Sequence, residues 1–533
     1  MSVIDRPLTR RRWLTYAAQA GSTGLLAGTS PIGVATALAR RSAGPRPQTP
    51  FGLQMGDLRG GSAVIWSAAD RPSRMMVRWS TQESMADAHI VAPTHALLDS
   101  EFTAKLELTE LPPDQEIFVE VSFLSLDDYV STSEPLIGRL RTPPTSRRSV
   151  RFVWSGDVNG QGWGINPDLG GMQIFDVMRR MEPDFFIHCG DVVYSDNPLS
   201  AERPLPGGQV WRNLVSPEKS KVAETLGEFR GQYRYNLMDE PLRRFNAEVP
   251  MIVQWDDHEV TNNWFWEMRK DEDERYREGS VAVLAARAMR AFHDYMPVRR
   301  HPLDPERIYD SFNYGPLLEV FRIDLRSYRG PNSDAQPLTL SPEFRILGKA
   351  QLEWLKRALR KSRASWKVIA SGMPLGLMVF DDFRSQKGAE AIALRDGEPA
   401  GRELEIAELL TFIRNEKIEN VVWLTADVHY TAAHYYDPAK AQYTAFSPFW
   451  EFVSGPLNGG TFGPNRLDNS FGPQLVFQKA PPEGEFNLPP TEGLQFFGQV
   501  DIDGESEIMT VRLKDIKGRT LFTQVIAPAS VET

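Results

Sequence analysis

Trp255-Asp256-Asp257-His258-Glu259-Val260-Thr261-Asn262-Asn263 follows directly on the apolar run Val249 to Val253. Adjacent carboxylates and an imidazole at the end of a buried strand are costly unless a cation or a reacting group engages them. The stretch therefore reads as a functional site, and other apolar runs end alike. Arg151 to Trp154 leads into Ser155-Gly156-Asp157-Val158-Asn159, and Asp184 to Ile187 into His188-Cys189-Gly190-Asp191-Val192-Val193-Tyr194. Trp366 to Ala370 enters Ser371-Gly372-Met373-Pro374, and Asn420 to Leu424 enters Thr425-Ala426-Asp427-Val428-His429. Such runs predict parallel strands with chemistry collected at the carboxyl edge of one sheet.

Between the runs lie helical patterns. Met172, Phe175, Met178 and Met181 recur at three-residue spacing, Leu352, Leu355 and Leu359 at three and four, and Leu404, Ile406, Leu409, Leu410 and Ile413 cover a similar face. Residues 143–533 are thus expected to form an α/β domain, with the Gly-, Pro- and Asn-rich stretch 455–490 as long loops. Two late runs, Gln499 to Ile502 and Ile508 to Leu513, are expected to rejoin a sheet. Upstream, Ala63-Val64-Ile65-Trp66, Met75 to Trp79, Lys105 to Leu108 and Ile117 to Phe123 are short and β-like, separated by Gly, Pro and Asp turns. They predict a small antiparallel β-sandwich over 51–142, joined to the α/β domain at Pro143-Pro144 and preceded by a proline-rich lead-in over 40–50.

The chain has 533 residues, 41% hydrophobic and 24% charged, an ordinary globular composition with room for two domains or more. Thr9-Arg10-Arg11-Arg12-Trp13-Leu14 precedes a mildly apolar, Ala- and Gly-rich stretch ending at Ala37-Leu38-Ala39. Paired arginines, a weak apolar region and an A-x-A site predict a Tat-type export signal over 1–39, hence contact with the Tat export machinery and a periplasmic or secreted protein. Gly21, Gly24, Gly28, Pro31 and Gly33 interrupt the apolar stretch, and no later one approaches ~20 apolar residues, so no stable membrane span is expected. Removing 1–39, with four arginines and one aspartate, moves the formal net charge from −10 to −13. That balance gives no broad attraction to nucleic acid or anionic membrane. A single cysteine, Cys189, excludes an intramolecular disulfide; strand alternation turns its side chain into the core.

A pair of cations about 3.5 to 4 Å apart needs a bridging carboxylate and several oxygen or nitrogen donors. Asp157, Asp191, Asp257, Asp427 and His429 supply these types from different strand ends. Gly190-Asp191-Val192-Val193-Tyr194 is the sharpest element: the glycine turns the backbone, Asp191 can bridge, and Tyr194 is either a phenolate ligand for a ferric ion or a buried ring with a satisfied hydroxyl. His258 is expected to protonate the departing oxygen. Asn159 either orients a phosphoryl oxygen or serves a turn. His434, five residues after His429, is a weaker candidate ligand. Arg326, in Asp324-Leu325-Arg326, is either a fork for phosphate oxygens or half of a structural pair with Asp324.

Gly190-Asp191-x-x-Tyr194, Trp255-Asp256-Asp257-His258-Glu259, Asp427-Val428-His429 and Leu347-Gly348-x-x-Gln351-x-x-Trp354-Leu355 together resemble the PhoD-type alkaline phosphatases of the metallophosphoesterase superfamily, along nearly the whole chain. The resemblance implies a four-layer α/β/β/α metallophosphoesterase domain and a centre of two or more metal ions, Fe3+ with Ca2+ being one type. Asp157, Asp191, Asp257, Asp427 and His429 match metal-ligand positions, Tyr194 is a candidate one, and His258 matches the catalytic histidine. One departure is clear: Asp157-Val158-Asn159-Gly160-Gln161-Gly162-Trp163-Gly164 holds no thiol where well-known members have a cysteine.

The expected function is an exported metal-dependent phosphoester hydrolase, an alkaline phosphatase releasing phosphate from small-molecule or lipid phosphomonoesters by attack of a metal-bound hydroxide. A phosphodiesterase or phospholipase D-like enzyme on the same centre is the alternative. A noncatalytic cell-envelope binding protein using the β-sandwich is a third reading, which leaves the clustered Asp and His unexplained.

Overall fold

The computed structural model describes residues 44–382 and 385–529, so the expected export signal lies outside the described residues. The apolar runs that announce the site form parallel strands. β1 (Val150–Ser155), β2 (Phe185–His188) and β3 (Met251–Val253) run side by side, with Ile187 opposite both Trp154 and Ile252. β4 (Leu318–Arg322), β5 (Trp366–Ala370), β6 (Val421–Thr425) and β7 (Phe449–Val453) form a second parallel set.

The two sets belong to two sheets, of nine and seven strands among the described residues, rather than to the one sheet expected from the run endings. Side-chain alternation shows how they stack. Phe152 and Trp154 of β1 and Phe185 and Ile187 of β2 share a buried cluster with Leu318 and Val320 of β4, Val368 of β5 and Leu424 of β6. The alternate residues Val153, Phe186 and Val253 face away and pack under helices Gln173–Arg179, Leu226–Asn236, Glu240–Glu248 and Val281–Tyr295 through Phe175, Phe229, Phe245 and Phe292. On the far side Phe321, Ile369 and Trp423 pack with Leu352, Leu355, Ile406 and Leu410 of helices Lys349–Lys361 and Glu403–Asn415. Strands covered on both faces must read as continuous apolar runs, which is why these do. The result is the expected α/β/β/α arrangement, in which each fully buried Leu, Ile or Phe contributes roughly 1.5–3 kcal/mol.

One glycine is required by this packing. Strand Phe496–Ile502 pairs antiparallel with β1 and sets Gly498 opposite Trp154, where a Cβ would lie 2.0 Å from the indole ring. Phe496–Ile502 then pairs with Met509–Asp515, so both late runs do rejoin a sheet. Within the stretch read as loops, Pro473–Lys479 forms a strand against Thr431–Tyr436. It is an exposed edge strand opening on proline, with Leu475 and Val476 facing solvent, so it lacks the apolar signature of the covered strands.

In the leading segment, strands Leu53–Arg59, Ser62–Ala68 and Thr103–Leu108 lie in the nine-stranded sheet, tied to β3 by the parallel pair Gly56 and Met251. Ser73–Ser80, Glu116–Ser125 and Leu136–Arg141 form a separate antiparallel sheet. Ile117, Val119, Val121 and Phe123 alternate with the less buried Phe118, Glu120 and Ser122 and join Leu53 and Met55 in the core. No helix among the described residues is long and apolar enough to cross a membrane.

Candidate metal centre

Because all seven strands run parallel within their sheets, the loops leaving β1, β2, β3, β4 and β6 carry their polar residues to one edge. The backbone there is unusual. Asp157, Asn159, Asp191, Asp427 and His429 have φ values of 67°, 68°, 52°, 70° and 60°, the left-handed region that is uncommon outside glycine and that Asn, Asp and His enter most readily of the rest. Such strain persists where surrounding structure enforces it, and it gathers at functional sites. Gly190, at φ 107°, turns the chain immediately before Asp191; a Cβ there would sit 2.5 Å from that of Asp256.

The turns bring together every metal-ligand residue expected from sequence. Ligand atoms of Asp157, Asp191 and His429 lie within 4.8 Å of one another, as do those of Asp191, Asp257 and His258, and those of Asp256, Asp257 and Asp427. Asp191 is common to the first two groups. The Tyr194 hydroxyl is 2.7 Å from His429 Nε2, and His429 Nδ1 donates to the Gly460 carbonyl, which aims Nε2 into the first group. The Tyr194 ring stacks on His258 at 4.2 Å between centroids.

A surrounding set of contacts fixes these donors. The His258 amide donates to Asp191 Oδ1 at 3.1 Å, and the Asn263 amide to Asp257 Oδ2 at 2.6 Å. Glu259 accepts from the amides of Val192 and Asp256 at 2.7 and 2.8 Å, clamping two site loops together. His258 Nδ1 meets Asp196 Oδ1 at 2.7 Å, which leaves Nε2 directed at the cluster. Asn159 is fully buried: its Oδ1 accepts from Asn458 at 2.6 Å and its Nδ2 donates to Asn236 at 2.7 Å, leaving one N–H. Arg326, also fully buried, ion-pairs with Asp256 and Glu390 and not with Asp324, which accepts only its backbone amide. Asp427 keeps 13% of its side chain exposed and His258 10%, so these two border the opening.

The electrostatics fit a cation-binding centre. Burial first, then neighbouring carboxylates, pushes Asp157, Asp191 and Asp427 well above the usual carboxylate range. Burial opposes charge on His258, but Asp196 and Asp257 override it and lift its pKa to about 9. His429 is lowered to about 4 by burial, so its nitrogen remains neutral and able to ligate. Asp157 Oδ2 and Asp257 Oδ1 are buried without any hydrogen-bond partner, an arrangement costing several kcal/mol unless positive charge completes it. Carboxylate, imidazole and phenol donors suit hard to borderline ions.

Sequence reasoning missed Asp196, Glu259, Asn236 and Asn458. Ser195-Asp196-Asn197-Pro198 has the composition of an ordinary turn. His434 takes no part in the cluster: it lies on strand Thr431–Tyr436, 3.0 Å from buried Glu451. Cys189 does pack inward, its thiol donating to the Leu424 carbonyl at 3.7 Å.

Two sheets, helices on both outer faces and a carboxylate-rich centre at the strand ends define a metallophosphoesterase-like fold. The chain belongs to the PhoD-like phosphatase family, whose model matches residues 152–513, with the family's N-terminal domain matching 33–144. It is 29% identical over 300 residues to alkaline phosphatase D of Bacillus subtilis, covering 54% of this chain and 48% of that protein. An uncharacterized Mycobacterium tuberculosis protein is 26% identical over 213 residues, 36% of this chain and 39% of its own. The chain thus matches about half the length or less of these curated relatives. Among solved structures, one of PhoD superposes with TM-score 0.65 at 18% identity, covering 92% of this chain and 94% of that one. Purple acid phosphatase PPD1 from yellow lupin superposes with TM-score 0.53 at 12% identity, covering 90% and 74%. Both share the fold.

Proposed function

We propose that the protein is an exported, metal-dependent phosphoester hydrolase acting as an alkaline phosphatase on phosphomonoesters. The observation that carries this reading is Asp191, one carboxylate shared by the Asp157–His429 and Asp257–His258 donor groups. Asp157, Asp191, Asp257, Asp427, His429 and Tyr194 would hold two or more ions, with Tyr194 favouring Fe3+ and the carboxylates Ca2+. When bound, such ions would supply charge neutralisation of phosphoryl oxygens and a water acidified towards a nucleophile at moderate pH. The remaining chemistry falls to the chain. His258 presents Nε2 to the leaving oxygen and delivers the proton, while Asp196 on Nδ1 fixes the tautomer. The free N–H of Asn159 steadies a phosphoryl oxygen. The Tat-type reading of 1–39 and the division at 143 belong to the same proposal, supported by the paired arginines and by the two family matches meeting near that point.

The test is elemental analysis of the purified protein with p-nitrophenyl phosphate and bis-p-nitrophenyl phosphate assays before and after chelation. Bound metal and monoester hydrolysis that disappear together on chelation, and together in Asp191→Asn, are expected. Full turnover in Asp191→Asn refutes the assignment, and preferential diester cleavage moves it to a phosphodiesterase.

A further inference from the structure

A cavity of about 470 Å³ lies apart from the centre, between the turn that opens helix Gln173–Arg179 and the strands Phe496–Ile502 and Met509–Asp515. None of the metal-donor residues lines it. Met172, Ile174, Trp211, Leu457, Leu494 and Phe496 give it an apolar interior, and its size suits a small organic ligand. Its charged lining is unbalanced. Arg519 is paired with Asp515 at 2.6 Å, so its charge is met within the protein. Lys479 and Lys517 are exposed and belong to no ion pair among the described residues, against one unpaired acid, Glu492. In a chain of net charge −10, free cations beside an apolar cavity fit a ligand with an apolar body and a single anionic head.

The wall between the cavity and the centre is thin. Leu457 and Asn458 line the cavity, yet both of their amides donate to the Asp157 carbonyl, at 3.1 and 3.2 Å, and the Asn458 carbonyl accepts from the Asn159 amide. Asn458 Nδ2 also holds Asn159 Oδ1 at 2.6 Å. A second tie runs through Gln495, between Leu494 and Phe496 of the lining. Its side chain accepts from the Gly459 amide at 3.0 Å and donates to the Gly459 carbonyl at 3.1 Å, next to Gly460, whose carbonyl aims His429. A shift of either wall segment therefore reaches Asp157, Asn159 and His429, three residues held in left-handed backbone.

We propose that this cavity is a second binding site, selective for small amphiphilic monoanions, whose occupant adjusts the centre through Leu457, Asn458 and Gln495. The adjustment rests on the phosphoester-hydrolase reading above; the binding does not.

The test is calorimetric titration of the metal-loaded protein with naphthalene-2-sulfonate, beside its neutral counterpart naphthalene-2-sulfonamide, followed by p-nitrophenyl phosphate kinetics with and without the sulfonate. Two variants locate the site: Lys479→Glu/Lys517→Glu reverses the free charge at exposed positions, and Ile516→Trp fills the cavity from its partly exposed lining. Expected are one sulfonate per wild-type chain and binding about tenfold weaker in the double lysine variant. Ile516→Trp and the sulfonamide should likewise bind weakly. Saturating sulfonate should shift the wild-type KM by roughly fivefold or more, and leave the double lysine variant, whose basal turnover equals that of the wild type, unmoved. No saturable binding to the wild type, binding unchanged in the double lysine variant, or equal binding of the sulfonamide overturns the proposal. So does sulfonate that inorganic phosphate displaces equally from the wild type and that variant, since it then sits at the centre. Bound sulfonate with unchanged kinetics overturns the link to the centre. Protein that cleaves no phosphoester even without sulfonate overturns the hydrolase reading instead, and the titration still decides the site.

Discussion

In the proposed mechanism His258 offers its Nε2 to a leaving group only while Asp196 occupies Nδ1, so the two residues are expected to fail together and in a substrate-dependent way. Replacing His258 by Ala removes a proton donor whose typical contribution is about 10²–10⁴-fold. That loss should appear on alkyl phosphates, whose leaving oxygen needs the proton, and shrink on p-nitrophenyl phosphate, with metal content retained. Loss of metal in that variant makes His258 a ligand instead. At this scale much was legible: Asp157, Asp191, Asp257, Asp427 and His429 each follow an apolar run, and burying a carboxylate there demands an explanation. Asp196 was not legible, because nothing in Ser195-Asp196-Asn197-Pro198 distinguishes a buried partner of histidine from a solvent-facing turn residue. In the fold its carboxylate accepts from the Asn262 amide at 2.8 Å and meets His258 Nδ1 at 2.7 Å.

Helix Glu403–Asn415 carries a second buried acidic feature, remote from the centre. Glu403 and Asp468 are interacting buried carboxyl groups, with Glu403 Oε1 and Asp468 Oδ2 lacking any hydrogen-bond partner, and burial first pushes both above the usual carboxylate range. Burial first, then Glu403, lifts Asp468 to about 10. An acid whose folded pKa is raised stabilises the fold fully below its unfolded value, near 4, and loses that contribution as pH rises towards 10. Glu403→Gln, which keeps a hydrogen bond without the second charge, should flatten this decline. Denaturant midpoints for both proteins at several pH values between 5 and 9 check it; parallel curves contradict it. The elements themselves were readable where they are covered on both faces, as in β1 to β7. They were less so where an edge strand such as Pro473–Lys479 is half polar. Four or five apolar residues also cannot say which of two stacked sheets they enter, which explains the single sheet expected from the run endings.

Across the whole molecule, the candidate metal donors come from four strand ends in two sheets, so ions bound there would fasten the sheets to each other. Removing metal should lower the melting temperature, and readdition should restore it. At 100-fold saturation over its Kd, each independent ion contributes about 2.7 kcal/mol. A melting curve indifferent to chelation would show that the core alone holds the sheets. With one cysteine and no intramolecular disulfide open to it, the chain has its core, and under the proposal its ions, to hold it together. The measurement that addresses the central claim most directly is anomalous diffraction from crystals of the metal-loaded protein. Two peaks about 3.5–4 Å apart, with the Asp191 carboxylate between them, are predicted. Featureless density around Asp191, or a lone ion that it does not touch, contradicts the account.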